Sequence, residues 1–299
     1  MKILSLGSLN LDHVYSVEHF VKAGETIASS GMNDFCGGKG LNQSIALSKA
    51  GAEVYHAGKI GADGEILRAK LEENGVNVKL LVTEPGVPTG HAIIQLDPKG
   101  QNCIIIHSGA NGAITEEFIE DAVSHFDKGD IALFQNEISN LDFAIECAAK
   151  HGMNVALNPS PMTDSLKNSP SLKYVKWFIL NEIEGFDISG EKEPEKICRA
   201  MREKFSDCVV VLTLGKEGVV YYDGITTASH GIYSVPVVDT TAAGDTFAGY
   251  FLACTAMGFG IDKILETASK ASSLAVSKKG AADSIPTFEQ VDKSEIKRA

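Results

Sequence analysis

The stretch VDTTAAGDTFAGYFLA, Val238–Ala253, places small residues and an aspartate directly before an apolar run. The run predicts a helix from about Gly244 to Met257, with Asp245 in its first turn. A carboxylate at that position gains roughly 0.3–1 kcal/mol from the helix dipole. Helix capping alone can therefore explain the pattern, and the rest of the chain decides whether Asp245 has a further role.

Short apolar runs alternate with helical patterns on the N-terminal side of this stretch. Four continuous apolar runs are typical of strands buried on both faces of a parallel sheet: DIALFQ, NVALNP, WFILN and CVVVLTLG. Helical patterns cover Leu41–Gly51, Asp63–Gly75 and Thr115–Phe126, and a last helix is predicted over Asp262–Lys279. The order predicts one α/β domain over residues 1–299, with helices on both sides of the sheet and a loosely docked tail after Phe288.

Two segments, about 12–34 and 87–108, differ from this alternation because they look like strands joined by turns. They predict a small antiparallel sheet that serves as a lid or a dimer contact, or alternatively extra edge strands of the main sheet. One apolar face of the small sheet is expected from these candidates: Val14, Ile27, Ile93, Ile104 and Ile106.

Composition excludes several functions. The net charge of −12 offers no basic face for nucleic acid. The N-terminal stretch MKILSLGSLNLD is too short for a membrane span and lacks a cleavage pattern, so no membrane partner is expected. The six cysteines show no CxxC spacing, which predicts reduced thiols in the cytoplasm rather than disulfides or a zinc site.

The stretch FCGGKGLNQS, Phe35–Ser44, fits neither a P-loop nor a GxGxxG dinucleotide loop. It indicates a glycine-lined turn at a helix start, where Lys39, Asn42 and Gln43 offer donors to a polyhydroxy ligand; a plain tight turn is the alternative.

Two further pairs of polar residues follow predicted strands. Asn10 and Asp12 point to one face, which suits vicinal hydroxyl groups, although a capped turn is equally consistent. Asn181 and Glu184 could hold Mg²⁺ through its waters or form a helix-capping pair.

Together, GG-K-G-x-N, NxxE and DTTAAGD occur in the order of both signatures of the PfkB carbohydrate kinase family. The chain resembles this family over nearly its whole length, and within it the ribokinases most. Segments that carry the resemblance include GSLNLDH, GGKGLNQ, IIIHSGAN, ALNPSP, TLGKEGV and SKKGAADSIP. The resemblance implies a ribokinase-like three-layer αβα sandwich with a mostly parallel central sheet and a small antiparallel β lid.

The resemblance also implies ATP-dependent phosphorylation of a sugar, with the 5-hydroxyl of D-ribose as the expected acceptor, by a homodimer joined through its lids. Asp245 would be the general base, beside a backbone anion hole at 242–245 that includes Ala242, Ala243 and Gly244. Sugar hydroxyls would be bound by Asn10, Asp12, Gly38, Lys39, Asn42 and Glu137. The nucleotide would contact Asn181, Glu184, Thr213, Gly215, Gly218, Gly244 and Ser269, with Glu184 helping to place Mg²⁺. A monovalent cation, K⁺, would be bound by Asp239, Thr241, Lys278, Gly280 and Ser284.

Cys36, Asn136 and Ser269 depart from the family's usual residues, and the first two are expected near the sugar pocket. Another sugar, such as deoxyribose or fructose, or a nucleoside therefore remains an alternative substrate. A non-catalytic sugar sensor would not need Asp245. A nicotinamide dehydrogenase would need a GxGxxG that the first strand lacks.

Overall fold

The computed structural model describes residues 1–299 and contains two β-sheets and ten α-helices. The strands, numbered in chain order, are β1 (Ile3–Leu6), β2 (Asn10–Ser16), β3 (Gly31–Gly37), β4 (Val54–Ile60), β5 (Asn77–Thr83), β6 (Gly90–Leu96), β7 (Asn102–His107), β8 (Ile131–Gln135), β9 (Asn154–Asn158), β10 (Val175–Asn181), β11 (Val209–Thr213), β12 (Val219–Tyr222) and β13 (Thr227–His230). The helices are α1 (Lys39–Lys49), α2 (Glu65–Glu73), α3 (Glu116–Ser124), α4 (Leu141–Lys150), α5 (Asp164–Lys167), α6 (Glu182–Ser189), α7 (Pro194–Lys204), α8 (Ala243–Ala256), α9 (Ile261–Val276) and α10 (Phe288–Lys293).

The larger sheet has nine strands in the order β13-β12-β11-β10-β9-β8-β1-β4-β5. All neighbouring pairs from β11 to β5 are parallel, and only the two edge pairings, β11 with β12 and β12 with β13, are antiparallel. The four apolar runs form β8 to β11, as their composition predicts. Since parallel strands end at the same edge, the sheet presents one row of carboxyl ends where a ligand site can form.

Side chains alternate across this sheet and feed two separate hydrophobic cores. Ile3 of β1 packs in one core, whereas Leu4 and Leu6 pack in the other. Helices α1, α2, α8, α9 and α10 cover the first face, and α3 to α7 cover the second. Each fully buried leucine or isoleucine contributes roughly 1.5–3 kcal/mol to this packing. The predicted three-layer αβα sandwich is confirmed.

The second sheet, which we call the lid sheet, has the order β3-β2-β6-β7 and shares no strand with the first. The interpretation as extra edge strands is therefore wrong. Its central pair, β2 and β6, is parallel, so the sheet is mixed rather than purely antiparallel. Parallel pairing between strands this distant along the chain depends on tertiary structure, which local patterns do not encode.

The expected single apolar face of the lid sheet is also wrong in detail. Val14 pairs with Ile94, and Ile94 with Ile104, so these side chains share a face. Ile93 pairs with Ile105 and belongs to the opposite face. Ile27 lies outside the strands.

The C-terminal tail is docked, contrary to expectation. Val291 of α10 is only 2% exposed and belongs to the first core. Beyond it, the Ala299 amide donates to the Ile232 carbonyl at 2.9 Å. A single apolar residue within a charged stretch is a weak sequence signal for such docking. None of the ten helices combines the length and the hydropathy needed to cross a membrane.

Candidate active site

The N terminus of α8 is left uncapped by the protein. Ala242 precedes the helix in the left-handed conformation, with φ 59°, and no side chain accepts from the first turn. The amides of Gly244 and Asp245 have no hydrogen-bond acceptor in the chain. A Cβ added at Gly244 would meet no protein atom within 4 Å. Free amides and open space at a helix N terminus form a ready anion site.

A close helix contact brings α1 beside this end of α8. At Gly249, an added Cβ would lie 2.4 Å from the Ala46 Cβ, so the two helices touch only because position 249 is glycine. The contact places two amides of α1 on the two carboxylate oxygens of Asp245. Asn42 Nδ2 donates to Oδ2 at 3.0 Å, and Gln43 Nε2 donates to Oδ1 at 2.8 Å. Asp245 is 8% exposed, so its carboxylate is held in a nearly dry setting.

The glycine-lined turn at the start of α1 is required by backbone crowding. Gly38 has φ 96°, a conformation that favours glycine. An added Cβ at Gly40 would lie 2.5 Å from the Gly7 carbonyl carbon at the end of β1. The turn thus packs directly on the first strand, and Lys39, Asn42 and Gln43 project from the helix start that follows it.

Asn10 and Asp12 lie on one face of β2, as predicted, and neighbouring glycines make room for them. A Cβ at Gly37 would lie 1.9 Å from Asp12 Oδ2, and one at Gly90 would lie 2.5 Å from Asn10 Oδ1. Asn111 Nδ2 donates to Asn10 Oδ1 at 2.8 Å, which leaves the Asn10 amide nitrogen available as a donor.

Glu137 and Lys39 bring charge to the same place. The Lys39 backbone amide donates to Glu137 Oε2 at 3.2 Å, and Ser8 Oγ donates to the same oxygen. Burial alone would lower the pKa of the Lys39 ammonium. Three nearby carboxylates outweigh burial and raise its pKa: those of Asp245, Glu137 and Glu184. Lys39 is therefore a positive charge close to both Glu137 and Asp245.

Asp12 has an unusual acidity for a carboxyl group. Burial, and secondarily the Glu137 carboxylate, raise its pKa to about 7, while His13 opposes the shift. Its charge therefore changes close to neutral pH, where an uncharged carboxyl becomes a weaker acceptor for hydroxyl groups.

Gly244 also lines a cavity of about 490 Å³. It is lined by five of the seven residues predicted to bind nucleotide: Thr213, Gly215, Gly218, Gly244 and Ser269. Sequence reasoning missed its apolar wall, which includes Tyr233, Val235, Val237, Phe247 and Val276. The apolar letters of IYSVPVVD were the available signal, but they lack any strand or helix period.

Asn181 and Glu184 form a capping box at the start of α6 and do not line this cavity. Asn181 Oδ1 accepts from the amides of Ile183 and Glu184 at 2.9 Å, and Glu184 Oε2 accepts from the Asn181 amide at 3.1 Å. Burial raises the pKa of Glu184. The capping alternative is thus observed, while the effect of Glu184 on Lys39 places its charge near the centre of the site.

The two loops predicted to enclose a monovalent cation meet at Asp239. Asp239 Oδ1 accepts from Thr241 N at 2.9 Å, and Oδ2 accepts from Gly280 N at 3.0 Å. Burial would raise the Asp239 pKa, but these hydrogen bonds hold it below its usual value. Ser284 is fully buried, with Oγ donating to the Ala281 carbonyl at 2.8 Å, and Lys278 follows the end of α9. No three His, Cys, Asp or Glu side chains gather as a metal cluster, so any ion here would depend largely on backbone carbonyls and hydroxyls.

Comparison with known proteins agrees with this fold. The profile described as pfkB family carbohydrate kinase matches residues 1–288. The chain belongs to the pfkB family of carbohydrate kinases. It is 32% identical over 295 residues to a ribokinase of Haemophilus influenzae, covering 95% of each protein.

Solved structures of two ribokinases are also similar. That of Arabidopsis thaliana ribokinase, complexed with ribose and ATP, matches with a TM-score of 0.84 and 30% identity, covering 98% of this chain and 97% of that one. That of Cryptococcus neoformans ribokinase, in complex with ADP, matches with a TM-score of 0.85 and 31% identity, covering 98% and 99%.

Asn136 and Cys36, two residues at which this carbohydrate kinase departs from the family pattern, have side chains that point away from Asp12. Asn136 Nδ2 donates to the Pro161 carbonyl at 2.7 Å, and its side chain lines a separate surface cavity of about 510 Å³. Cys36 pairs with Leu11 in the lid sheet, whereas Asp12 pairs with Phe35, so the thiol lies on the opposite face from Asp12. Neither side chain therefore points toward Asp12, and their expected contact with the sugar stays a prediction.

The far end of α1 touches the predicted cation loop, a contact that the sequence did not indicate. Lys49 Nζ donates to the Ile285 carbonyl at 2.9 Å and to the Ala282 carbonyl at 3.4 Å. Burial lowers the pKa of this ammonium. The two carbonyls lie on either side of Ser284 in the sequence, so Lys49 hydrogen-bonds to the loop around that residue.

Proposed function

We propose that this carbohydrate kinase transfers the γ-phosphoryl group of ATP to the 5-hydroxyl of D-ribose. The observation that carries the proposal is the position of Asp245 at the uncapped start of α8. Asp245 accepts from Asn42 and Gln43 at the start of α1, and its neighbour Gly244 lines the proposed nucleotide cavity. The similarity to ribokinases in complex with ribose, ATP and ADP supports the choice of substrates.

Ribose binding would use residues of both sheets. Asn10 and Lys39 supply donors, and Asp12 and Glu137 supply acceptors, so a ring with several hydroxyl groups can be hydrogen-bonded around its edge. Asn42 Oδ1 is buried and has no partner in the chain, which suits it to accept from a sugar hydroxyl. These groups would hold the primary hydroxyl against Asp245.

Phosphoryl transfer would then proceed at α8. Asp245 would accept the proton of the 5-hydroxyl while the oxygen of that hydroxyl bonds to the γ-phosphorus. The bond from this phosphorus to the β–γ bridging oxygen would break and release ADP. The free amides of Gly244 and Asp245 would donate to the oxygens of the transferring group, where negative charge is concentrated. Ala242 and Ala243 keep this space clear.

Two ions fit the residues present. Glu184, held in its capping box, would bind Mg²⁺ through water, and Mg²⁺ would neutralise phosphate charge. A monovalent cation, K⁺, would be held by Asp239, Ser284 and nearby carbonyls: those of Thr241, Lys278 and Gly280. It would add positive potential beside the anion hole. The ionised Asp239 and the carbonyl-rich loop are the chemistry that such a cation requires.

We also propose that two copies associate through their lid sheets. Several large apolar side chains of this sheet are exposed: Met32, Phe35, Ile93, Ile104, Ile105 and Ile106. A second copy would cover Met32, Ile93 and Ile105, which lie on the face opposite Asp12. The lid would exclude water that competes with the sugar hydroxyl. The cytoplasmic location expected from the scattered cysteines stays a prediction.

The proposal is tested by a coupled kinase assay across ribose, deoxyribose, fructose and nucleosides, with ATP and Mg²⁺. We expect ribose to give the highest kcat/KM. A higher value for another compound would replace the substrate and leave the kinase assignment intact. Complete absence of turnover, with sugar binding retained, would favour a sugar sensor.

A further inference from the structure

The amide of Gln43 is fully committed to the protein. Its Nε2 donates to Asp245 Oδ1 at 2.8 Å and to Asn158 Oδ1 at 3.1 Å, which uses both N–H groups. Its Oε1 accepts from Gln135 Nε2 at 2.8 Å. Gln43 and Gln135 are both 0% exposed. Gln43 therefore has no N–H left for a substrate, whereas Asn42 keeps an unpartnered acceptor, Oδ1.

The direction of these hydrogen bonds is fixed from the sheet. Asn158 Nδ2 donates to the Ile179 carbonyl at 2.9 Å, so its Oδ1 must face Gln43 as an acceptor. Gln135 ends β8 and pairs in register with Asn158 at the end of β9, and Ile179 belongs to the next strand, β10. Three adjacent strands thus hold one amide in one orientation.

Gln135 is in turn confined by the first strand. A Cβ at Gly7 would lie 2.1 Å from Gln135 Oε1, so only glycine at that position leaves room for the side chain. Turning the Gln135 amide over would place its oxygen against Gln43 Oε1 and leave that acceptor without a donor. Such an arrangement is unfavourable between two fully buried side chains.

We propose that Gln43, braced by Gln135, is a positioning residue for Asp245. It fixes the rotation of the carboxylate, and so determines which lone pair faces the sugar hydroxyl. The inference rests on the proposed role of Asp245 as general base. It adds that the orientation of this base is set by the carboxyl edge of the central sheet, through α1, and not by α8 alone.

The test is the variant Gln43→Met, which keeps similar length and removes every hydrogen bond of the amide. We expect kcat to fall by up to roughly 10²-fold, because small displacements of a reacting group have effects of this size. The dissociation constants of ribose and ATP, measured by calorimetry, should stay near those of the native protein. A structural role alone would not produce this split between turnover and binding.

A double-mutant cycle tests the brace. Gln135→Met removes only the donor to Gln43 Oε1, so it should lower kcat less than Gln43→Met. The double variant should be no slower than Gln43→Met, because the brace acts only through Gln43. Additive losses would overturn the proposed chain from Gln135 to Asp245. If Gln43→Met does not fold, an unchanged kcat in Gln135→Met would overturn the proposal instead.

The matched control is Ser44→Ala in the same helix. Ser44 is also fully buried and shares a hydrogen bond of 2.8 Å with His56 Nδ1, but it does not contact Asp245. It should lower the midpoint of thermal unfolding and leave kcat unchanged; an equal loss of kcat in both variants would reduce Gln43 to a structural residue. Asp245→Asn separates the two levels. If it stays active, the proposed base is wrong, whereas an inactive Asp245→Asn beside a fully active Gln43→Met would refute the inference alone.

Discussion

Asp245 and the lid sheet differ in how far the rest of the chain surrounds them. Around Asp245, both carboxylate oxygens accept amide hydrogens, and the donors are almost or fully buried. In the lid sheet, every residue of β7 is exposed, and Ile105 is 62% exposed. The groups that we propose for the chemical step therefore lie on buried elements. Asn10 and Asp12, which we propose to bind the sugar, belong to a sheet that is only partly covered.

The largest effect is expected from Asp245→Asn, which tests the buried side of this comparison. A positioned base contributes about 10²–10⁴-fold to rate, so kcat should fall by that order while ribose binding changes little. Steady-state kinetics and calorimetry measure the two quantities. Asp245→Ala should give the same result without placing an NH₂ group against the two amide donors. Near-native turnover in both variants would remove Asp245 as the base.

Asp12→Asn tests the lid side. Loss of a charged hydrogen bond costs about 1.5–3 kcal/mol, so kcat/KM for ribose should fall by roughly 10- to 100-fold, mainly through KM. In the native protein the Asp12 pKa of about 7 means that the carboxyl gains a proton as pH falls through 7. kcat/KM should therefore decrease below pH 7 and rise above it, and Asp12→Asn should lack this limb. A loss confined to kcat would contradict the proposal that Asp12 binds the sugar and takes no part in the chemical step.

A smaller effect is expected from the cation. Activity should rise several-fold with K⁺ and less with Na⁺, because the loops around Asp239 offer carbonyls to a large ion. Asp239→Asn should weaken the dependence. The control is Asp283→Asn, which changes a carboxylate of the same region that pairs with Lys70 instead. Equal rates in buffer freed of K⁺ and in buffer containing it would count against the site.

The smallest effect on catalysis is expected at the lid surface. Ile105→Glu places a charge on the face opposite Asp12, so it should dissociate the proposed dimer and leave kcat nearly unchanged. Sedimentation should then show the 31.8 kDa monomer. Ile225→Glu is the control, since Ile225 is 94% exposed and lies outside the lid sheet. A native protein that sediments only as the monomer at micromolar concentration would refute the dimer.

The sequence predicted the features that depend on local pattern. Continuous apolar runs identified β8 to β11, and small residues before an apolar run identified the start of α8 with Asp245. The features it did not predict depend on distant pairing. The pairs Gln43–Asp245 and Gln43–Gln135 join residues 202 and 92 positions apart. The parallel pairing of β2 with β6, which assigns Val14 and Ile93 to different faces, likewise has no local signature.

Helix α1 contacts Asp245 through Gln43 near its start. Its last residue, Lys49, contacts the Ile285 carbonyl in the loop predicted to bind the cation. Eleven residues at 1.5 Å each make it a rod of about 16 Å between the two places. If α1 couples the two sites, the coupling is reciprocal. A bound cation that raises sugar affinity by some factor implies that bound sugar raises cation affinity by the same factor. Lys49→Met removes the hydrogen bonds between α1 and this loop. It should therefore reduce both coupling factors equally, toward a value of one.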